Sequence, residues 1–209
     1  MLPGARMFFE GGGDGALEYI ETPRQNANCY ITTSVVTTTD LTLNLKMLEL
    51  YADENPQCPM IGTTEGWSAK FLLWMNYRKS SNTNELQWHF GGKYKSAMQV
   101  TKDAVWDMTL SKTGMTVNGT SQTLTGAGNP GSGKVMVCGT STGTGDQLHR
   151  CPHCRIFSFN MSKSGVEVFH GVPWLMNGVA GLYDTIGETF YPSEGVDKFI
   201  DGPLAPASS

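Results

Sequence analysis

The chain has 209 residues, of which 39% are hydrophobic and only 16% charged, with a formal net charge of −4. That length suits one substantial domain, since all-β sandwiches commonly reach it without splitting. So few charges, slightly acidic in balance, give no basic field for nucleic acid or an anionic membrane, and no apolar run is long enough to cross a bilayer.

The opening "MLPGARMFFEGGGDG" has too short an apolar stretch for an export signal, and residues 1–16 are expected as a flexible N-terminal segment that a partner could order. In "DLTLNLKMLEL", Leu41, Leu43, Leu45 and Met47 alternate with Thr42, Asn44 and Lys46, the period of a strand with one buried face. The same period in "KFLLWMNY" sets Phe71, Leu73, Met75 and Tyr77 against Leu72, Trp74 and Asn76, and in "ELQWHF" it sets Leu86, Trp88 and Phe90 against Gln87 and His89. A meander follows, with Trp106, Met108 and Leu110 on one face, a turn at Gly114, and an Asn118-Gly119 pair suited to a tight hairpin. "RIFSFNM" and "GVEVFHGV" form a further hairpin around "SKSG", with Ile156, Phe157, Val166 and Val168 as β-formers and Gly165 in the turn. No stretch keeps helical spacing over several turns, so the chain reads as all-β, a sandwich or barrel. The compact core is expected over 17–203, and the tail 204–209, like the "DGPLAPASS" that contains it, is expected to be loosely held.

"GNPGSGKV" at 128–135 matches the first part of a P-loop, in which backbone amides and a lysine surround phosphate. Val135 stands where the motif needs a Ser or Thr for Mg²⁺, and "KVMVCG" reads as a strand where a P-loop opens a helix. A Gly-rich connection between strands is the better reading.

Five cysteines, Cys29, Cys58, Cys138, Cys151 and Cys154, are an odd number and suggest no disulfide framework, which favours assembly in a reducing compartment. In "HRCPHC", His149, Cys151, His153 and Cys154 are suitable zinc ligands, but a single C-x-x-C is half a site and the remaining cysteines stand alone in sequence. A redox pair would begin a helix, whereas "RIFSF" continues as a strand. "YADEN" and "TGTGDQ" offer oxygens without the ligand ladder of a calcium loop, so no cofactor is indicated. Glu49, Asp53 and Glu54 read as solvated residues of a strand end and turn, and Asp184 and Glu188 flank another turn. None forms the alternating carboxylate pair of a glycoside hydrolase.

Aromatic and amide side chains are the remaining lead. Sugars stack their apolar faces on Trp or Tyr and bond their hydroxyls to Asn, Gln, Arg or Asp. Trp74, Asn76 and Arg78 share one strand face, Gln87 and His89 share a face of the next strand, and Trp67 lies in the loop "TTEGWSAK". If the two strands are neighbours, these residues make a polar and aromatic floor; the competing assignment places Trp in the core or at the rim.

Several landmarks together resemble the laminin-G-like, concanavalin-A-like jelly-roll modules of gut-bacterial surface proteins and of bacteriophage structural and tail proteins. They are the opening "LEYIETPRQNANCYITT", the hairpins around Gly114 and Asn118-Gly119, and the closing "CRIFSFNM", "VEVFHGVPW" and "NGVAGLYDTIGETFYPSEGVDKFIDGP". Thr32 replaces the family's usual Asp, and "CPHC" replaces an ordinary polar segment. The resemblance implies a two-sheet antiparallel jelly-roll sandwich and a non-catalytic, lectin-like module for adhesion or receptor recognition, placed on a cell surface or virion. Its implied partners are a glycan or bacterial-surface polysaccharide, with other virion or surface proteins engaged through the N-terminal segment and homo-oligomerisation left open. A purely structural assembly protein and a glycoside hydrolase are the alternatives.

Overall fold

The computed structural model describes residues 14–24, 26–51, 57–65, 70–78, 83–100, 104–141, 147–148 and 151–206. Regular structure among them is entirely β. In chain order the strands are β1 (Gly15–Ala16), β2 (Ile20–Glu21), β3 (Ile31–Val36), β4 (Leu41–Tyr51), β5 (Gln57–Thr63), β6 (Phe71–Arg78) and β7 (Thr83–Phe90). They continue as β8 (Lys93–Val100), β9 (Val105–Ser111), β10 (Gly114–Val117), β11 (Thr120–Thr123), β12 (Lys134–Val137), β13 (Thr140–Ser141) and β14 (Gln147–Leu148). The last five are β15 (His153–Lys163), β16 (Val166–Met176), β17 (Val179–Asp184), β18 (Thr189–Pro192) and β19 (Ile200–Asp201).

Two antiparallel sheets form a sandwich consistent with a jelly roll. The larger runs β11-β10-β9-β4-β15-β16-β17-β18, with β1 on β16, β2 on β15 and β19 on β2. The smaller runs β3-β12-β5-β6-β7-β8, and β13 and β14 make a separate short pair. The alternation expected in the sequence supplies the interior. Leu43, Leu45, Trp106, Met108, Phe159 and Met161 are buried from one sheet, and Ile31, Val135, Leu73, Leu86, Trp88 and Phe90 from the other. Burial of each such side chain contributes about 1.5–3 kcal/mol. The Trp88 indole N–H crosses between the sheets to the Ser111 carbonyl at 2.7 Å, and its ring packs against Phe71 and Phe90 at 5.1 and 5.9 Å.

Turn chemistry fixes the registers. Asn118-Gly119 and Ser164-Gly165 both take positive φ, as two-residue hairpin turns require, and Asn177-Gly178 does the same between β16 and β17. The Asn118 side chain also accepts from the Asp107 amide at 2.8 Å and donates to the Val105 carbonyl at 3.1 Å. The described ends are paired as well. Gly15–Ala16 lie against Trp174–Leu175, Leu17 bridges Leu204, and the Ala205 amide donates to the Ala16 carbonyl at 2.8 Å. A glycine- and proline-rich composition does not announce that pairing.

Candidate functional site

The smaller sheet brings the sequence-derived residues onto neighbouring strands. Antiparallel pairing of β6 with β7 sets Trp74 opposite Gln87 and Leu72 opposite His89; Asn76 stands opposite Glu85, and Arg78 opposite Thr83. The side chains of Asn76 and Arg78, and Trp67 and His149 as whole residues, lie outside the described residues. β7 then pairs with β8, where His89 meets Tyr94. Their rings stack at 5.2 Å between centroids and 21° between planes. Tyr94 is 62% exposed and His89 half-buried, and Gln87 donates to Glu85 at 3.4 Å on the same outward face. Burial lowers the His89 pKa, because the charged imidazolium loses hydration there.

Trp74 is only 7% exposed, so its ring underlies this face and presents no open stacking surface. The expectation of one buried and one open face therefore fails over the first part of β6, where Phe71 through Met75 are all buried. Part of the cover is visible at β5. The Thr140 hydroxyl lies 3.5 Å from the Thr63 carbonyl, and a Cβ at Gly62 would overlap Thr140 and the Gly139 carbonyl. The short β13–β14 pair thus crosses the outer face at a place where only glycine fits. Met136, also on the outward side of its strand, is fully buried. What stays open is the strip along β7 and β8, with Gln87, His89 and Tyr94. Tyr94 has no sequence signal of its own, since its value comes from the register that lays it on His89.

The Gly-rich loop has a different use from phosphate binding. Glu65 occupies it: the Ser132 amide donates to Glu65 Oε2 at 2.8 Å and the Ser132 hydroxyl donates to Oε1. These bonds, hydroxyl first and amide second, hold the Glu65 carboxyl below its usual range. Lys134 then opens β12, a strand, as the sequence reading required.

Among the carboxylates, Glu49 corrects the sequence reading, because it sits inside β4 at 1% exposure rather than in a solvated turn. Asp53 and Glu54 lie outside the described residues. Asp184 accepts from the backbone amides of His170 and Ile186 at 2.9 and 3.1 Å, so one of its oxygens anchors its own turn.

The cysteines are placed in a way their spacing does not reveal. Cys29, Cys138, Cys151 and Cys154 are all buried, and their thiols are neighbours: Cys138 of Cys151 and Cys154, Cys151 of Cys154, and Cys29 of Cys151. The Cys138 and Cys151 thiols beside Cys154 hold that residue well below the ordinary thiol range, while burial pushes Cys151 well above it. His153 turns to Glu21 Oε1 at 3.3 Å, beside the Arg155–Glu21 ion pair at 2.7 Å. As these side chains stand, no three His, Cys, Asp or Glu among the described residues form a ready metal cage.

No family model matches the chain, and no curated protein matches it. Among solved structures, that of a candidate carbohydrate binding protein from Bacteroides ovatus is similar, with a TM-score of 0.55 and 13% identity. The match covers 91% of this chain and 61% of the other, so the chain spans about three fifths of that protein's length. At this identity the likeness speaks for the fold alone. Among the described residues no helix is long and apolar enough to cross a membrane.

Proposed function

We propose that the protein is a non-catalytic recognition module that binds carbohydrate along the outward strip of β7 and β8. The observation that carries this reading is the Tyr94–His89 stack, an exposed aromatic surface held rigid by its neighbour, with the Gln87 amide alongside. A sugar ring would lie on Tyr94, and Gln87 and a neutral His89 would meet its hydroxyls; such sites need few charges. The fold shared with the Bacteroides ovatus protein, itself named for carbohydrate binding, agrees with this reading. The setting we propose, a cell surface or phage particle, rests on the sequence resemblance.

The test is an array of bacterial-surface and host glycans probed with the wild type, Tyr94→Ala, Trp74→Ala and Trp67→Ala. Loss of one aromatic contact of about 0.5–1.5 kcal/mol predicts affinity lower by about two- to twelvefold for Tyr94→Ala. Folded wild type that binds no glycan would sink the proposal and favour a structural assembly role. Loss confined to Trp67→Ala would move the site to that loop.

A further inference from the structure

We propose that Cys29, Cys138, Cys151 and Cys154 form a structural zinc site, a closed centre of four thiolates that fastens the two sheets together. Four of the chain's five cysteines are buried as neighbours, Cys29 beside Cys151 and Cys138, Cys151 and Cys154 beside one another, although they come from three separated segments. Cys151-Pro152-His153-Cys154 has the spacing of half a closed zinc site, and Cys29 and Cys138 complete the count of four sulfurs. An all-sulfur set of four selects zinc or iron over harder metals; zinc, redox-inert and the usual metal of closed structural sites with a C-x-x-C half, is the assignment, and iron is an outcome that the test separates.

The backbone around the thiols is firmly anchored. The Cys138 amide donates to the Met60 carbonyl at 2.7 Å, and the Asn26 amide donates to the Cys151 carbonyl at 2.9 Å. The Cys154 amide donates to Thr22 Oγ1 at 2.8 Å. Cys138 has a φ of 59°, a conformation that costs energy for a residue with a Cβ and that persists only where its surroundings enforce it. With these anchors fixed, the sulfurs of Cys138, Cys151 and Cys154 adjust chiefly through χ1. On binding, each coordinating thiol gives its proton to solvent and the thiolates bond to the ion. Cys138 directly follows β12 of the smaller sheet and Cys154 lies in β15 of the larger, so the metal would bridge them. Simple burial of four small apolar thiols is the competing account.

The deciding experiment measures metal in wild-type protein, purified under reductant without chelator and also titrated with zinc chloride. A parallel sample is loaded with Co²⁺ for its absorption spectrum. The expected result is one zinc per chain, an intense visible spectrum with thiolate charge transfer from cobalt, retention in Cys58→Ser and loss in Cys138→Ser. If Cys138→Ser does not fold, the wild-type zinc content and cobalt spectrum decide alone. Wild type that retains no zinc before or after titration overturns the proposal, as does a disulfide within the four or an iron–sulfur chromophore.

Discussion

Replacing Thr22 by Val tests whether a single hydroxyl organises the entry to β15. Thr22 is fully buried, and its Oγ1 donates to the Pro152 carbonyl at 2.8 Å while accepting from the Cys154 amide at 2.8 Å. Valine keeps the shape, so no cavity opens, but two buried backbone groups lose their partner. Each orphaned group costs about 1–3 kcal/mol, and the gain from burying a methyl in place of a hydroxyl returns up to about 1 kcal/mol, giving a net loss of about 1–5 kcal/mol. The Thr22 amide still donates to the Cys154 carbonyl at 2.9 Å, which limits the damage to these two groups. Urea denaturation, followed at one fixed zinc concentration and in reductant, should show a lower midpoint with an unchanged slope. Thr22→Ser, which retains both bonds, should lose about 1 kcal/mol or less, the worth of a methylene-sized group. A Thr22→Val protein within about 0.5 kcal/mol of wild type, the range of an ordinary surface change, would refute the assignment.

Gly62→Ala should destabilise by about 1–3 kcal/mol, because its Cβ meets the Gly139 carbonyl and Thr140, and backbone has no rotamer by which to yield; an unchanged melting temperature would mean that the β13 crossing is loose. His89 should titrate below the ordinary imidazole value of about 6.5 when its ring protons are followed by NMR. Its lowered folded pKa means that its contribution to stability is complete above the unfolded value and is lost as pH falls through the folded one. A His89 that titrates at or above the free value would show that the ring is hydrated and the Tyr94 stack open.

The alternation of Leu41, Leu43, Leu45 and Met47 and the Asn118-Gly119 turn made the strands legible, because each reports a local property: a buried face, or a positive φ. What lay hidden depends on contacts distant in sequence. Trp74 looked outward by periodicity and does point out, but a later hairpin crosses that face of the sheet, and local pattern carries no trace of a cover. Glu49 looked solvated because it is charged and near a strand end, yet it continues the inward series of Leu41, Leu43, Leu45 and Met47. Cys29 and Cys138 stood alone because only the order of the strands delivers them to Cys151. The Gly-rich loop failed as a phosphate site on its own residues, yet the occupant of its amides, Glu65, could be named only once β5 and β12 were seen as neighbours.

The pairing of the two chain ends has a mechanical consequence. From Ala16 with Ala205, through Leu17 with Leu204 and Glu18 with Pro203, to Ile20 with Asp201, the two segments bond in antiparallel order, so Ala16 and Ala205 lie at the same corner. Tension applied through them would load these bonds one after another, as in a zipper, rather than all together in shear. These segments would peel before the β4–β15 seam at the centre of the larger sheet felt the pull, leaving the open strip on β7 and β8 undisturbed.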